Sequence, residues 1–286
     1  MAKGNAGGKP EKGKKARTQG NTDSSPVAGK YPIDTGDCEL VEDRFNPNGW
    51  VLMINGVPSS HIDLNNPQQL DFEYMHWIAN LIESRFDSEV GIRALHLGGG
   101  ACTLARYVAS AFPQSRQVVV EIDSKLASLV REWFDLPRAP LLRIRVGEAR
   151  EVTTSLTANS RDLIIRDVYA GSRTPVALTT VEFTQQVHRV LSPVGMYLAN
   201  CGDTPDRELL KTEAATIASL FTYVAFVADA TMLKGRRYGN VIIAGSDEPL
   251  GSPQLTRKLR TIGLPAQFWD DARVRTFAAS AQPNLD

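Results

Sequence analysis

The spacing of apolar residues changes along the chain, and each change marks a different kind of element. Between residues 38 and 63, short apolar runs are separated by Asn-Pro-Asn-Gly and Asn-Gly, which are typical of tight turns. This pattern predicts a β-meander of about 25 residues, which is too short to fold alone. From Pro67 to about Arg85, apolar residues recur at helical spacing and predict a helix.

Beyond residue 90, strand patterns and helix patterns alternate regularly. Five apolar runs, each followed by a helical pattern, predict five parallel βα units. Two later runs are separated by a loop too short for a crossover, so they should pair antiparallel. The chain is therefore predicted to be an α/β protein, with a doubly wound, mostly parallel seven-stranded sheet after the small N-terminal β-meander. The seven runs span residues 93–97, 117–122, 141–146, 162–166, 195–199, 224–228 and 241–244.

Charge separates a tail from this predicted body. The 286 residues hold 32 Lys+Arg and 32 Asp+Glu, so the formal net charge is zero. Residues 1–30 carry seven basic and two acidic side chains, a net charge of +5, which leaves −5 on the rest. This segment has six glycines and no aromatic residue, and it is predicted to be disordered. The predicted domains are a basic tail at 1–30, the meander at 31–66, a Rossmann-like domain at 67–270 and a C-terminal tail at 271–286.

The averages exclude several classes of protein. A neutral chain is not a uniformly basic nucleic-acid-binding protein, although its basic tail could contact nucleic acid or anionic lipid weakly; a solvated tail is the commoner case. No run reaches the ~20 apolar residues of a membrane span, and the N-terminus has no apolar signal-peptide centre. Three widely spaced cysteines argue against a disulfide framework and a metal site. We expect a cytoplasmic protein that binds no membrane and no metal.

In an open parallel sheet, ligands bind over the carboxyl ends of the strands, where the strand order reverses. Gly98, Gly99 and Gly100 follow the first strand of the body and would let the backbone approach a ligand beside a helix N-terminus. Thr103 stands where a dinucleotide fingerprint has its third glycine, which disfavours a pyrophosphate and leaves a nucleoside without phosphates. A purely structural turn is the alternative.

Two carboxylates follow the next two strands. Glu121, in Glu121-Ile122-Asp123, stands where an acid can accept both ribose hydroxyls, whereas Asp123 could simply cap the next helix. Glu148, which precedes Ala149, could face an adenine amino group or could equally begin a helix.

Asp167 ends the fourth strand of the body, where a reacting group would lie, and a small flexible loop follows it. Together, the glycine loop and the three acids favour a site for an adenosine that carries a sulfonium. Cys102 lies near a helix start, which would lower a thiol pKa, but an inert buried thiol is the commoner case. The histidines share no motif and are expected to be packed or solvated: His61, His76, His96 and His188.

With these residues placed, the chain resembles the spermidine synthase (polyamine aminopropyltransferase) family over roughly residues 40–245. The similarity lies in the strand-turn at 51–57, the helix segment Phe72-Glu73-Tyr74, the run at 95–100 and the three acids described above. The stretch at 167–183 is especially similar to a bacterial branch that is often fused to membrane transporters.

The resemblance implies an N-terminal β-domain, a class I methyltransferase-like catalytic domain and a homodimer. It implies decarboxylated S-adenosylmethionine as a co-substrate, with no permanently bound cofactor, and an amine such as putrescine or another polyamine as acceptor. By motif position, Asp167 would be the catalytic acid, with Tyr74 beside it. The donor would be bound by Gly98, Gly99, Gly100, Glu121, Ile122, Glu148 and Ala149.

Three positions depart from the family pattern. The acid that usually follows the three glycines and holds the amine of the donor is Ala101, the second acid of the strand-four motif is Ala170, and the glutamine after the helix tyrosine is Met75. A dication buried without carboxylate partners is strongly disfavoured, so these changes bear on the acceptor. Two other functions stay open: a methyltransferase that uses S-adenosylmethionine itself, and a non-catalytic nucleoside-binding protein. Three acids could supply the missing charge from elsewhere: Asp71, Glu73 and Asp203.

Overall fold

The computed structural model describes Met1, Gly4 and residues 26–171, 173–261 and 265–286. Most of the predicted disordered tail at 1–30 therefore lies outside the described residues. Two sheets organise the described chain, one of four strands and one of eight. The predicted α/β class with a separate N-terminal meander is confirmed.

The four-stranded sheet is an antiparallel meander. It consists of β1 (Gly29–Ile33), β2 (Gly36–Glu42), β3 (Gly49–Ile54) and β4 (Val57–Asp63), paired in chain order. β1 begins two residues before the predicted boundary because Gly29 pairs opposite Leu40 of β2. Asn55 and Gly56 both have positive φ, as the two-residue Asn-Gly hairpin predicts. The inner face of the meander packs against the start of the helix Thr103–Ala111 in the eight-stranded domain. The two domains therefore share one apolar cluster, which includes Leu40, Leu52, Ile62, Ala101, Cys102 and Ala105.

Helix α1 (Glu73–Arg85) begins six residues later than Pro67, where the sequence predicts it. The residues before it form turns instead, because the side chains of Asp63 and Asn66 accept backbone N–H groups of Asn65, Asn66 and Gln68. From Glu73 onward the apolar face of the helix is buried, as its spacing indicates.

The large sheet alternates strands and helices along the chain. The elements of its parallel part are β5 (Arg93–Leu97), α2 (Thr103–Ala111), β6 (Arg116–Glu121), α3 (Ser124–Trp133), β7 (Leu142–Val146), α4 (Ala149–Ser155), β8 (Arg161–Arg166), α5 (Val181–Val190) and β9 (Leu191–Asp203). The later elements are α6 (Glu208–Ala218), β10 (Tyr223–Ala228), α7 (Ala230–Leu233), β11 (Gly239–Ser246), α8 (Pro253–Thr261), β12 (Gln267–Trp269) and α9 (Asp271–Ala278).

The strand order is β12-β10-β11-β9-β8-β5-β6-β7. The five strands from β9 to β7 in this order are parallel, and β10 and β11 pair antiparallel as predicted. The chain leaves β5 in one direction, through β6 to β7, and then returns to β8 on its other side. The order therefore reverses between β5 and β8, and this is the point at which a ligand is expected.

The C-terminal part of the chain differs from the expectation. An eighth strand, β12, adds to β10; with three residues it is too short to show a strand pattern. The predicted C-terminal tail at 271–286 begins with α9, whose Val274 and Ala278 are buried. Arg275 of this helix donates to the backbone carbonyls of Ala218 and Phe221, so α9 is fixed to the body. No helix among the described residues is long and apolar enough to cross a membrane.

Candidate active site

A large cavity opens at the carboxyl ends of β5, β6 and β8, where the strand order reverses. Its volume is about 1010 Å³. The β3–β4 hairpin forms one wall, the start of α1 a second, and the residues that lead into β11 a third. Every site residue predicted from the sequence lines this cavity: Tyr74, Gly98, Gly99, Gly100, Glu121, Ile122, Glu148, Ala149 and Asp167.

The glycine loop follows β5 and fits closely between its neighbours. Gly98 has φ +90°, and a Cβ atom on it would lie 2.2 Å from the carbonyl oxygen of Asp167. Gly100 has φ +48°, and a Cβ atom there would lie 2.6 Å from Oγ of Ser60 on β4. The fold therefore requires glycine at both positions, and the same bare backbone gives a ligand close access to the loop.

Glu121 ends β6 with its carboxylate turned toward the glycine loop. Its Oε2 accepts the backbone N–H of Gly99 at 3.0 Å and of Gly100 at 3.3 Å, while Oε1 accepts the N–H of Asp123 at 3.0 Å. Backbone N–H donors therefore fix the orientation of this carboxylate. Ile122 lines the edge of the cavity and is 61% exposed.

Asp123 and Glu148 both cap helices. Asp123 accepts the N–H of Leu126 at the start of α3, and its other oxygen accepts both the N–H and the hydroxyl of Thr35 from the meander. Asp123 thus has the alternative role that the sequence left open. Glu148 accepts the N–H of Glu151 at 2.8 Å and caps α4, although it also lines the cavity.

Asp167 lies just beyond the end of β8 and is held on both oxygens. Tyr74 of α1 donates its hydroxyl to Oδ2 at 2.8 Å, and Asn200 of β9 donates its amide to Oδ1 at 2.8 Å. Burial raises the pKa of Asp167, and the hydrogen bonds from Asn200 and Tyr74 oppose this only in part. Burial and the neighbouring carboxylate raise the pKa of Tyr74 well above its ordinary value, so its phenol stays protonated. A carboxylate with increased proton affinity, held in one orientation, is suited to act as a general base.

Asn200 and Asn240 also belong to this cluster, although no sequence motif singles them out. The amide of Asn240 on β11 donates to Oδ1 of Asn200 at 3.0 Å, which leaves the Asn200 amide nitrogen oriented toward Asp167. Both residues line the cavity. The one signal in the sequence is that Asn200 is a polar residue near the carboxyl end of an apolar strand. Without the strand order, this signal does not show that Asp167 is its partner.

A buried ion pair lies behind this cluster. Arg166, at the end of β8, pairs with Glu213 of α6, and both side chains are almost completely inaccessible. Arg166 also donates to the carbonyl oxygens of Leu178 and Asn200, at 2.8 and 3.2 Å. It therefore fixes the backbone of Asn200 relative to β8. Removing one partner alone would leave a buried charge uncompensated.

The three departures from the family motif have different surroundings. Ala101 is fully buried, and its N–H donates to Oγ of Ser60 at 3.0 Å, so it packs against the meander and adds no surface to the cavity. Met75 is also buried, but it lines the cavity. Ala170 lines the cavity too, in a short loop bridged to Arg173.

Of the acids that could replace the missing ones, two line the cavity and one does not. Asp203 is buried and accepts the backbone N–H of Leu210, which holds the start of α6. Glu73 lines the cavity and pairs with Arg237 at 3.0 Å, while Arg237 also pairs with Asp229 at 3.2 Å. Asp71 is exposed at the cavity mouth.

The described lining of the cavity is strongly acidic. Five carboxylates contribute to it and a single guanidinium, that of Arg237, opposes them. Such a lining attracts cations and disfavours phosphates. The five acids are Asp71, Glu73, Glu121, Glu148 and Asp167.

The remaining candidate residues do not form a second centre. Burial raises the pKa of the Cys102 thiol to about 12, so this thiol is unreactive, as expected. His61 pairs with Asp43, and His188 pairs with Asp247, both away from the cavity lining. Within the described ranges, no group of three or more metal-ligating side chains is close enough to hold a metal ion.

Among curated proteins, the chain is similar to polyamine aminopropyltransferases. The polyamine aminopropyltransferase of Vibrio vulnificus is 30% identical over 132 residues, which cover 46% of this chain and 43% of that protein. The chain spans about half the length of the curated relatives it matches. No family model matches the chain.

Solved structures are similar over a longer part of the chain. A probable spermidine synthase from Corynebacterium glutamicum is 51% identical, with a TM-score of 0.87, and the match covers 92% of this chain and 97% of that one. Human methyltransferase-like protein 13, solved with SAH, is 20% identical, with a TM-score of 0.53, over 66% of this chain and 89% of that one. The second similarity shows the fold alone.

Proposed function

The chain belongs to the spermidine synthase family, and from this premise we propose that it is an aminopropyltransferase. It would move an aminopropyl group from decarboxylated S-adenosylmethionine to an amine such as putrescine or another polyamine. One observation carries the proposal: Asp167, at the strand end beside the glycine loop, is held on both oxygens by Tyr74 and Asn200. The acidic lining supports it, because both the sulfonium and the acceptor are cations.

In this reaction, the nitrogen of the acceptor attacks the carbon next to the sulfonium. The new C–N bond forms as the C–S bond breaks. The electron pair of the C–S bond passes to sulfur, and neutral methylthioadenosine leaves. The attacking amine must lose a proton, and Asp167 would accept it. The thioether leaves as a neutral molecule and needs no proton, so the protein has only to align the reactants and to remove a proton from the amine.

Tyr74 and Asn200 would position the base without exchanging protons themselves. Each donates to one oxygen of Asp167, which keeps the carboxylate oriented and favours its ionised form. The raised pKa of Asp167 increases its proton affinity and thus its strength as a base.

The donor would lie over the glycine loop. Glu121 would accept the ribose hydroxyls, since its carboxylate is already oriented by the N–H groups of Gly99 and Gly100. Glu148 and Ala149 would lie at the adenine, with Ile122 covering the base from the edge of the cavity. A preformed site of this kind requires little ordering when the donor binds.

The methyltransferase alternative has less support. Loss of the acid at Ala101 would favour S-adenosylmethionine only if it opened space for the carboxylate of that donor, and Ala101 is buried against the meander. The carboxylate would also need a cation, and the one guanidinium of the described lining is already held by Glu73 and Asp229.

The direct test is to supply decarboxylated S-adenosylmethionine with a panel of mono-, di- and polyamines and to measure methylthioadenosine. We expect product with at least one amine, and a fall of about 100- to 10,000-fold in kcat for Asp167→Asn, with methylthioadenosine binding unchanged. Nucleoside binding without product from any amine would indicate the non-catalytic function. Formation of S-adenosylhomocysteine from S-adenosylmethionine would indicate a methyltransferase.

Assembly and location are part of the same proposal. We propose a cytoplasmic homodimer whose basic N-terminal segment contacts nucleic acid only weakly. Light scattering during size exclusion at micromolar concentration tests the dimer, and a mass of one chain would contradict it.

A further inference from the structure

The floor of the cavity carries a histidine that the proposed function does not use. His96 of β5 lines the cavity and pairs in register with Ile165 of β8. It precedes Gly98 by two residues, just as Ile165 precedes Asp167, and side chains two apart share one face of a sheet. His96 therefore lies roughly 6.6 Å below the glycine loop, between the strand that ends in Glu121 and the one that leads to Asp167.

The hydrogen-bond partners of His96 define its tautomer. Its Nε2 lies 2.8 Å from Oε1 of Gln117, and the amide nitrogen of Gln117 donates to the carbonyl of Ala105 at 3.0 Å. Because the amide N–H is used on Ala105, the Gln117 oxygen must accept, and the hydrogen of the imidazole is on Nε2. Burial lowers the pKa of His96 to about 4, against the hydrogen bond to Gln117, so the ring is neutral near pH 7. Its Nδ1 consequently carries a free lone pair.

The neighbouring strands place apolar residues beside His96. Its neighbours in register are Val119 and Ile165, both apolar, and both line the cavity. The side chain of Gln117 is hydrogen-bonded to His96 and to the carbonyl of Ala105.

If the function proposed above holds, one part of the donor still has no partner. Adenosine would lie over the glycine loop, and the first carbon of the three-carbon arm, which the acceptor attacks, would lie near Asp167. The amine at the far end of that arm remains without a partner. The position at which the family has an acid for this amine is Ala101, which contributes nothing to the cavity surface. The floor at His96 lies directly below the loop and between the two strands that bound the donor.

We propose that Nδ1 of His96 accepts a hydrogen bond from the terminal amine of the aminopropyl arm, so that a neutral imidazole takes the place of the missing carboxylate. Gln117 is then a positioning residue, because it holds the tautomer that leaves Nδ1 free. The arrangement also selects the decarboxylated donor, since Val119 and Ile165 offer nothing to a carboxylate on the arm.

The test compares two ligands that differ only in the arm. Calorimetry gives dissociation constants for decarboxylated S-adenosylmethionine and for methylthioadenosine, which keeps the adenosine and lacks the aminopropyl group. We expect His96→Leu to weaken binding of decarboxylated S-adenosylmethionine about 10- to 100-fold, since the lost hydrogen bond has a charged donor. Methylthioadenosine should bind as to the wild type.

Two further substitutions identify the atom. Asparagine places its side-chain oxygen near the position of Nδ1, so His96→Asn should retain most of the affinity for decarboxylated S-adenosylmethionine. The side chain of glutamine reaches toward the position of Nε2, so His96→Gln should lose affinity for decarboxylated S-adenosylmethionine as His96→Leu does. His61 is an equally buried histidine outside the cavity lining. His61→Leu is the control for loss of a buried imidazole, and it should leave the ratio of the two dissociation constants unchanged.

The outcomes separate this inference from its premise. An equal loss for both ligands in His96→Leu, or no loss for either, would overturn the role of His96 while the proposed function stands. Failure of the wild type to bind either ligand would overturn the proposed function and this inference with it. Thermal unfolding of each variant shows that it is folded, and the ratio of the two constants is unaffected by a uniform loss of folded protein.

Discussion

The two halves of the cavity are held together by different kinds of contact. We call the part where the donor is proposed to bind the donor half; it consists of the glycine loop, Glu121 and Glu148. Each carboxylate there is fixed by backbone N–H groups of adjacent loops or of its own helix. We call the part proposed for the acceptor the acceptor half; it consists of Tyr74, Asp167, Asn200 and Asn240. The carboxylate there is fixed by side chains from α1 and β9, and the side chain from β9 is held by one from β11.

This difference has a functional consequence. Contacts with backbone N–H groups do not depend on the side chains of the donating residues, so outside the required glycines Gly98 and Gly100 the donor half can change residues and still present its carboxylates. The acceptor half depends on particular side chains that meet only in the folded protein. Two of the three departures from the family pattern, Met75 and Ala170, line the cavity near this half, beside Tyr74 and after Asp167. Specificity is therefore expected to vary there.

The largest expected change in nucleoside binding is in the donor half. The carboxylate of Glu121 accepts the N–H groups of Gly99 and Gly100 and would bind the ribose. Glu121→Gln removes its charge, so we expect methylthioadenosine to bind about 10- to 100-fold more weakly. Calorimetry measures this directly. With saturating donor, kcat should stay close to that of the wild type. A lower kcat with unchanged affinity for methylthioadenosine would show that Glu121 acts in the chemical step and not in nucleoside binding, contrary to this division between the two halves.

A smaller effect is expected in the acceptor half. Asn200→Leu removes one hydrogen bond to Asp167, and we expect kcat to fall about tenfold, with methylthioadenosine binding unchanged. The bond lowers the pKa of Asp167, so its loss raises that pKa. Because the base must be ionised, the acidic limb of the pH–rate profile should move to higher pH.

A second asparagine provides the control for that shift. Asn240→Leu acts one contact further from Asp167, and it should move the acidic limb in the same direction by less. An acidic limb that does not move in Asn200→Leu would show that Asp167 is not the group that titrates in the reaction.

The smallest effect belongs to the mouth of the cavity. Asp71 is exposed, so Asp71→Asn should raise the KM for a cationic acceptor only about twofold, and the difference should disappear at high salt. Steady-state kinetics at two ionic strengths measure it. A large, salt-independent loss would mean that Asp71 binds the acceptor directly and belongs to the acceptor half.

The sequence predicts the donor half better than the acceptor half for a physical reason. Glycines with positive φ and carboxylates at strand ends are local features, so they can be recognised without knowing which strands are neighbours. Asn200 gains its role only because β9 lies beside β8 and β11 lies beside β9. The same limit applies to the fold: the alternation of strands and helices is visible, whereas β12 is defined only by its pairing with β10.

Element boundaries failed where polar side chains compete for the backbone. Pro67 looks like the start of a helix, but Asp63 and Asn66 bind the N–H groups of the following residues and hold them in turns. At the other end of the chain, the polar surface of α9 concealed Val274 and Ala278, which are buried against the body.

The contact of Ser60 with the glycine loop links the site to the stability of the meander. One wall of the cavity comes from the β3–β4 hairpin, and Ser60 accepts the N–H of Ala101 directly beside that loop. If the meander separates from the body, this wall is lost and the donor site is incomplete. A ligand that binds only the docked form must shift the docking equilibrium toward it, by an amount set by its concentration relative to its dissociation constant. The N-terminal sheet, which makes none of the proposed chemical contacts, is thus thermodynamically coupled to every molecule that the cavity binds.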